Sequence, residues 1–335
     1  MSVRCKPRVL LWSLPLWAFV MGLFAYVRSI VVMPGESYQG ALPAGTDDEQ
    51  ALAERLRRDV VMLGETIGER NHVRYRELAT AMEYIEGRFD EAGIASRRET
   101  YESGGQAFAN LVAELPGSRE RSEILVVGAH YDSVVGSPGA NDNATGVAAL
   151  LALAAALAGH SPQRTLRFVA FVNEEPPHFQ TEAMGSLVHA RRCAQRGERV
   201  AGAISLETMG YYSTERGSQH YPPPLGWLYP SRGDFIGFVG NTDSRAFLHE
   251  LVGSFRRHAR FPSEGAALPS GMPGAGWSDH WAFWQAGYPG VMVTDTAPFR
   301  YPHYHTAHDT PDGLDYLRLA RVVRGLEAAI RDLSR

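Results

Sequence analysis

Short apolar runs alternate with helical patterns along most of the chain after residue 45. Nearly continuous apolar strands between helices are typical of a mostly parallel sheet, because helices cover both faces of each strand. The sequence therefore predicts a single α/β domain with a mostly parallel, mixed central sheet flanked by helices. The predicted strands are 108–115, 124–129, 165–172, 200–206, 235–239 and 290–294. The predicted helices are 47–63, 73–91, 146–158, 184–195, 244–258, 279–286 and a last one from about 314, and 221–226 and 265–276 are predicted loops.

The composition excludes several classes of protein. Hydrophobic residues make up 44% of the 335 residues and charged residues 21%, which excludes wholesale disorder and a polytopic membrane protein. Two cysteines are too few for a disulfide scaffold or a thiolate zinc site, so any metal must be bound by histidine and carboxylate side chains. A net charge of −4 disfavours nucleic acid as a partner.

Residues 9–27 form an uncharged apolar run near the N-terminus. As a helix, 19 residues span about 28 Å, enough to cross the hydrocarbon core of a bilayer once. Three basic residues precede the run and one follows it directly, so the positive-inside rule places the N-terminus in the cytoplasm and the rest of the chain in the periplasm or outside the cell. A cleaved secretory signal is the alternative, although no clear cleavage site follows. The predicted division is 1–8 cytoplasmic, 9–27 transmembrane, 28–45 linker and 46–335 globular domain.

Acidic and histidine residues follow four of the predicted strands. Because the carboxyl ends of parallel strands meet at one edge of a sheet, we expect these side chains to lie close together. Several carboxylates at one place repel each other unless cations neutralise them, so the sequence predicts a site for two metal ions. The residues concerned are His130, Asp132, Asp142, Glu174, Glu175, Glu207 and the histidines His303, His305 and His308.

Five motifs in order resemble the M28 family of zinc-dependent peptidases, which includes bacterial aminopeptidases and, more distantly, glutaminyl cyclases. They are GAHYDS at 128–133, GANDNATG at 139–146, NEE at 173–175, the strand ending in Glu207, and YHT at 304–306. The resemblance covers about residues 50–330. It implies two Zn²⁺ ions bridged by Asp142, one bound also by His130 and Glu207, the other by Glu175 and His305.

The same resemblance implies three further roles. Glu174 would be the general base that takes a proton from the attacking water. Tyr304 would stabilise the oxyanion, with a packing role as the alternative. Asp132 would accept a hydrogen bond from the second ring nitrogen of His130. Asp279 and His280 resemble a segment often found near the family's site, where structural support and contact with substrate are equally open.

The leading hypothesis is a membrane-anchored metallopeptidase, most simply an aminopeptidase, with a peptide or protein as substrate. Many family members carry aspartate where Glu207 stands, and the segment 176–184 is longer than in simple aminopeptidases. Similar insertions occur in glutaminyl cyclases, so an acyltransferase with one zinc is the alternative enzyme. A receptor-like ectodomain without activity is the alternative outside the enzymes.

Overall fold

Eight strands form one mixed sheet in the computed structural model, which describes residues 8–335. The predicted cytoplasmic segment 1–8 therefore lies outside the described residues except for its last position. The strands are β1 (Ser96–Ser103), β2 (Gln106–Leu115), β3 (Glu120–His130), β4 (Arg164–Phe171), β5 (Arg199–Glu207), β6 (Ile236–Asn241), β7 (Ser263–Leu268) and β8 (Gly290–Thr294). Their order in the sheet is β1-β2-β4-β3-β5-β8-β6-β7.

Helices cover both faces of this sheet. They are α1 (Arg8–Val31), α2 (Asp47–Val61), α3 (Tyr75–Glu91), α4 (Gly146–Leu157), α5 (Gly185–Gln195), α6 (Arg245–His258), α7 (His280–Gln285) and α8 (Tyr316–Leu333). The predicted helix 47–63 ends as a π-helical turn at Met62–Ile67. The prediction of an α/β domain with a mixed central sheet is confirmed.

The central strands are parallel, and this places their carboxyl ends at one edge. β3 pairs in parallel with β4 and with β5, and β5 pairs in parallel with β8. The side chains of β4 and β5 are almost entirely buried, as expected for strands between two layers of helices. The apolar helix α4 packs against this layer and against α2 and α8, so it belongs to the core.

Two strands, β1 and β7, were not predicted from the sequence. β1 is rich in charged residues and pairs antiparallel with β2 at one side of the sheet, where its outer face meets solvent. β7 lies at the other side and overlaps residues predicted to form a loop. Its sequence SEGAAL contains small residues and no β-branched side chain, so local propensity gives little signal there.

Helix α1 includes the apolar run predicted to cross a membrane. Its last turn packs on the domain, where Ile30 is buried in one cluster with Leu225, Ala266 and Leu268. By length and composition, one helical stretch in the described chain is long and apolar enough to span a bilayer, Ala140–Leu157, and 83% of it is buried within the protein. The apolar stretch Trp17–Val31 is shorter, so a membrane span at 9–27 stays a prediction.

Candidate metal centre

Three parallel strands and two loops bring the predicted ligands together. His130 ends β3, Glu175 follows β4 and Glu207 ends β5. Asp142 lies between β3 and α4, where the backbone departs from helical geometry with φ −110° and ψ 90°. His305 lies in the loop between β8 and α8. The structure thus brings all five predicted ligands to one place.

The carboxylate of Asp142 faces two groups of ligand atoms, one through each oxygen. Its Oδ1 lies 3.3 Å from Nε2 of His130, which is 3.2 Å from Oε2 of Glu207. Its Oδ2 lies 3.0 Å from Nε2 of His305, which is 3.4 Å from Oε2 of Glu175. Within each group the ligand atoms lie within 4.8 Å of one another. Asp142 therefore belongs to both groups of candidate ligands.

The two groups have the chemistry and spacing of metal sites. Zinc lies about 2.0 to 2.2 Å from nitrogen and oxygen ligands in a tetrahedron, which separates neighbouring ligand atoms by about 3.3 Å. The distances between imidazole and carboxylate atoms match this spacing. Nε2 of His130 and Oε1 of Glu175 are buried and have no hydrogen-bond partner among the described residues. Buried polar atoms without partners are expected where an ion completes the site.

The electrostatics of the cluster also favour cations. Burial lowers the pKa of His130, but the negative charges of Glu207 and Glu174 outweigh this effect and raise the pKa well above 6.5. Burial and the charge of Asp142 raise the pKa of Glu175 to about 7. Burial likewise raises the pKa of Glu174 well above its ordinary value. Crowded buried carboxylates thus hold protons more tightly, and divalent cations can neutralise the same charge.

Strained backbone conformations lie beside the ligands. Among the described residues, five that are not glycine have a positive φ, and three of them border this site. Asn173 (φ 61°) precedes Glu174, Thr208 (φ 40°) follows Glu207, and His305 itself has φ 58°. Such conformations cost about 1 to 3 kcal/mol each and are typical of functional sites.

Asp132 supports the site differently from the expectation. Its two carboxylate oxygens accept the backbone N–H groups of Glu174 and Glu175, each at 3.1 Å. Nδ1 of His130 lies 3.2 Å from the backbone carbonyl oxygen of Asp132 and 3.5 Å from the carboxylate. The main contact of the imidazole is therefore with the carbonyl, while the carboxylate orients the two glutamates.

Two supporting residues were not identified from sequence. The carboxylate of Asp309 accepts the backbone N–H groups of Asn141 and Asp142 at 2.8 and 3.0 Å. The fully buried guanidinium of Arg70 donates to the carbonyl oxygens of Leu63, Gly68, Tyr131, Pro138 and Gly139. In the sequence, Asp309 belongs to the histidine-rich segment but has no pattern that indicates its role, and Arg70 lies in no recognisable motif.

Glu174 and Tyr304 lie beside the ligands. Oε2 of Glu174 is 3.9 Å from Nε2 of His130, and the side chain is buried. The ring of Tyr304 stacks on His305 with 3.8 Å between centroids. Burial and the charge of Asp142 raise the pKa of Tyr304, so its hydroxyl keeps its proton.

The remaining predicted candidates belong to neither group of ligand atoms. The rings of His303 and His308 contact each other edge to face, 5.8 Å apart. His280 is buried in the core, with Nε2 2.7 Å from the carbonyl oxygen of Ala275 and its ring against Trp284. Asp279 is fully buried, and burial raises its pKa to about 7. His280 is therefore a packing residue, and Asp279 contributes a buried acid near the site.

Comparison with known proteins places this site in a family. The sequence profile of peptidase family M28 matches residues 110–330. The uncharacterized protein YfbL of Escherichia coli (strain K12) is 34% identical over 320 residues, which cover 93% of this chain and 96% of that protein. A probable zinc metalloprotease of Pyrenophora tritici-repentis is 29% identical over 236 residues, 62% of this chain and 46% of that protein.

Solved structures share the fold. A zinc aminopeptidase from Bacillus subtilis superimposes with a TM-score of 0.64 at 16% identity, covering 88% of this chain and 97% of that one. A glutaminyl cyclase from Fimbriiglobus ruber superimposes with a TM-score of 0.61 at 21% identity, covering 90% and 99%. The family profile matches about two thirds of the residues, and the ligand geometry agrees with it, so the chain belongs to peptidase family M28 and is a metal-dependent peptidase.

Proposed function

We propose that the protein is an aminopeptidase that binds two Zn²⁺ ions. The observation that carries the proposal is Asp142, which offers one carboxylate oxygen to each of two groups of ligand atoms. His130 and Glu207 would complete one site, and Glu175 and His305 the other. When bound, the ions supply Lewis-acid catalysis, which lowers the pKa of a water molecule and polarises the substrate carbonyl.

Glu174 is the proposed general base. Its carboxylate is buried beside the ligands, and Asp132 fixes its backbone through the N–H group. A carboxylate with a raised pKa accepts a proton from the attacking water and can return it to the leaving amine. Tyr304 keeps its phenolic proton, which supports a role as the hydrogen-bond donor to the developing oxyanion.

A pocket beside the ligands supports action on the N-terminal residue. It has a free volume of about 100 Å³, and Glu207 and Tyr304 are among the residues that line it. Most of its lining is apolar. A pocket of this kind takes one side chain next to the scissile bond, which is how an exopeptidase selects the terminal residue of its substrate.

The test uses purified full-length protein in detergent. We expect hydrolysis of aminoacyl p-nitroanilides, loss of activity with a chelator and recovery with Zn²⁺. Glu174→Gln should lower kcat by at least about 10²-fold while metal content is unchanged, because only proton transfer is removed. Glu120→Gln, at the exposed opposite end of β3, is the matched control.

Two results would contradict the proposal. Full turnover by Glu174→Gln would remove the role of base. Cyclisation of a peptide with N-terminal glutamine, without hydrolysis and with one metal ion per chain, would identify an acyltransferase instead.

We further propose that α1 anchors the domain in a membrane, with the domain on the non-cytoplasmic side. The support is the uncharged run 9–27 and the basic residues before it. Full-length protein should stay in the membrane fraction after a carbonate wash. A protease added to intact spheroplasts should degrade the domain. Release into the soluble fraction with a shortened N-terminus would instead indicate a cleaved signal.

A further inference from the structure

The pocket beside the metal ligands extends across one face of the sheet. Its floor consists of residues of β8, β6 and β7, which are neighbours in that order. One wall is formed by the rings of Trp277 and Phe299, which are stacked with centroids 6.1 Å apart and planes inclined by 11°. The pocket therefore leads away from the ligands toward the outer strand β7.

Four residues in register form a row along this floor. Glu207 pairs with Thr294, Thr294 pairs with Gly237, and Gly237 pairs with Glu264. All four line the pocket. Residues paired in register point to the same face of a sheet, and neighbouring strands are about 4.8 Å apart, so Glu264 lies about 14 Å from Glu207. The row begins at a proposed metal ligand and ends at a second carboxylate.

The carboxylate of Glu264 has no partner among the described residues. Among the side chains that the structure describes, none donates a hydrogen bond to this carboxylate, and no basic nitrogen lies within 4.0 Å of it. The cation that influences it, Arg256, donates instead to the hydroxyl and carbonyl oxygens of Ser263 and to the carbonyl oxygens of 33–35. Burial raises the pKa of Glu264, and Arg256 opposes this effect only in part.

Aromatic rings surround this end of the pocket. Tyr221 and Tyr229 both line it, with ring centroids 5.7 Å apart. Their hydroxyl groups donate to the carbonyl oxygens of Pro230 and Gly265, so neither serves Glu264. A carboxylate beside tyrosine rings is a favourable environment for an organic cation, through charge pairing and cation–π attraction.

Gly237 leaves the middle of the floor without a side chain. A Cβ atom built there would touch the carbonyl oxygen of Thr294 at 3.3 Å and the methyl carbons of Thr296 and Thr294 at 3.4 and 3.8 Å. Gly237 lines the pocket, so any side chain at this position would take up space between the ligands and Glu264.

We infer that this pocket binds the side chain of an N-terminal lysine or arginine, with Glu264 pairing its positive charge. The inference rests on the proposed aminopeptidase function and adds the class of substrate. From standard bond lengths, an extended lysine or arginine side chain reaches about 6 to 7 Å from its Cα, and a glutamate side chain about 4 Å. With a charged hydrogen bond of about 2.8 Å between them, the two side chains span about 13 to 14 Å, close to the distance between Glu207 and Glu264. A leucine side chain is shorter and leaves Glu264 desolvated and unpaired.

The test compares lysyl and norleucyl p-nitroanilides, because these side chains share a four-carbon stem and differ in the ammonium group. We expect the full-length protein to favour the lysyl substrate in kcat/KM by about 10- to 100-fold, the usual worth of a partly buried charged hydrogen bond. Glu264→Gln should bring the ratio close to 1, mainly through KM for the lysyl substrate, and Glu264→Asp should keep part of it. Glu250→Gln, an exposed acid on α6, is the control and should leave the ratio unchanged.

A second readout separates this inference from the proposed function. Thermal stabilisation by L-argininamide and by L-norleucinamide is measured with Zn²⁺ present for the same variants, each combined with Glu174→Gln so that the amides are not hydrolysed. Stabilisation by argininamide that is larger when Glu264 is present and lost in Glu264→Gln supports the pocket, even if the wild type hydrolyses no substrate. Equal stabilisation by both amides, or a lysyl preference that survives Glu264→Gln in a folded variant, would overturn it.

Discussion

The carboxylate of Asp309 accepts the backbone N–H of Asp142 at 3.0 Å, so one buried acid fixes the residue that faces both groups of metal ligands. The other oxygen of Asp309 accepts the N–H of Asn141 at 2.8 Å and the hydroxyl of Tyr301 at 3.1 Å. Because His305 and Asp309 belong to one loop, that loop supplies a candidate ligand and also holds in place the carboxylate that the two groups share.

Replacing Asp309 with asparagine should weaken metal binding. An amide has one acceptor oxygen, so its NH₂ group would face one of the two backbone N–H groups. We expect the affinity for Zn²⁺ to fall by about 10- to 100-fold, the usual effect of losing a group that orients a ligand. Competition with a fluorescent chelator measures it. Asp312→Asn, an exposed neighbour, should have no effect, and an unchanged affinity in Asp309→Asn would refute the positioning role.

Removal of Asp142 should affect metal content more than removal of Glu175. If Asp142 bridges, Asp142→Ala disturbs both sites and should retain close to no zinc after dialysis. Glu175→Ala disturbs one site and should retain close to one ion. Elemental analysis of each variant, with circular dichroism as the check on folding, gives the answer. Equal losses in the two variants would argue against a shared ligand.

Arg70 should be essential for stability, although it lies outside the ligand groups. Its guanidinium is fully buried and satisfies the backbone carbonyl oxygens of Tyr131, Pro138 and Gly139, in the segment that leads to Asp142. The ammonium group of lysine cannot donate hydrogen bonds in all of these directions. Arg70→Lys should therefore lower the free energy of unfolding by about 3 kcal/mol or more. Urea denaturation measures the loss. The exposed Arg74→Lys serves as the control and should change stability by less than about 0.5 kcal/mol.

Acid should remove a contribution that Glu99 makes to stability. Burial raises the pKa of Glu99, but hydrogen bonds from His189 and Asn110 outweigh it and lower the pKa from 4.5 to about 2. A carboxyl group with a lowered pKa stabilises the folded state above its unfolded pKa, and this stability is lost as the pH falls from about 5 to 2.

Unfolding of the wild type and of Glu99→Gln by urea at several pH values tests this linkage. The wild type should be more stable by up to about 3 kcal/mol at pH 6, and the difference should shrink steadily below pH 5. Glu102→Gln, an exposed acid on the same strand, should show no such trend. A difference that does not depend on pH would show that Glu99 acts through packing alone.

The sequence correctly predicted that the candidate ligands at the ends of parallel strands lie close together. Residues such as His130, Glu175 and Glu207 end or follow parallel strands, and the strand ends of such a sheet must meet at one edge. Asp142 and His305 were assigned through the resemblance to a family, because spacing alone does not distinguish His305 from His303 and His308.

Other features depend on contacts between distant parts of the chain. Asp309 reaches Asn141 across 168 positions, and no local pattern marks that contact. β7 was missed because its small residues give it little strand propensity. The position of Glu264, which lies on β7, could therefore not be predicted either. The pocket therefore became visible only when the register of β8, β6 and β7 was known.

The last turn of α1 and the residues after it are packed on the edge of the sheet. Ile30 is buried with Ala266 and Leu268 of β7, and the hydroxyl of Ser37 accepts the backbone N–H of Ser263. A recombinant chain trimmed at residue 40 would uncover these apolar side chains along an edge strand, which favours self-association. Soluble versions of the domain should therefore keep the chain from about Ser29, so that β7 stays covered.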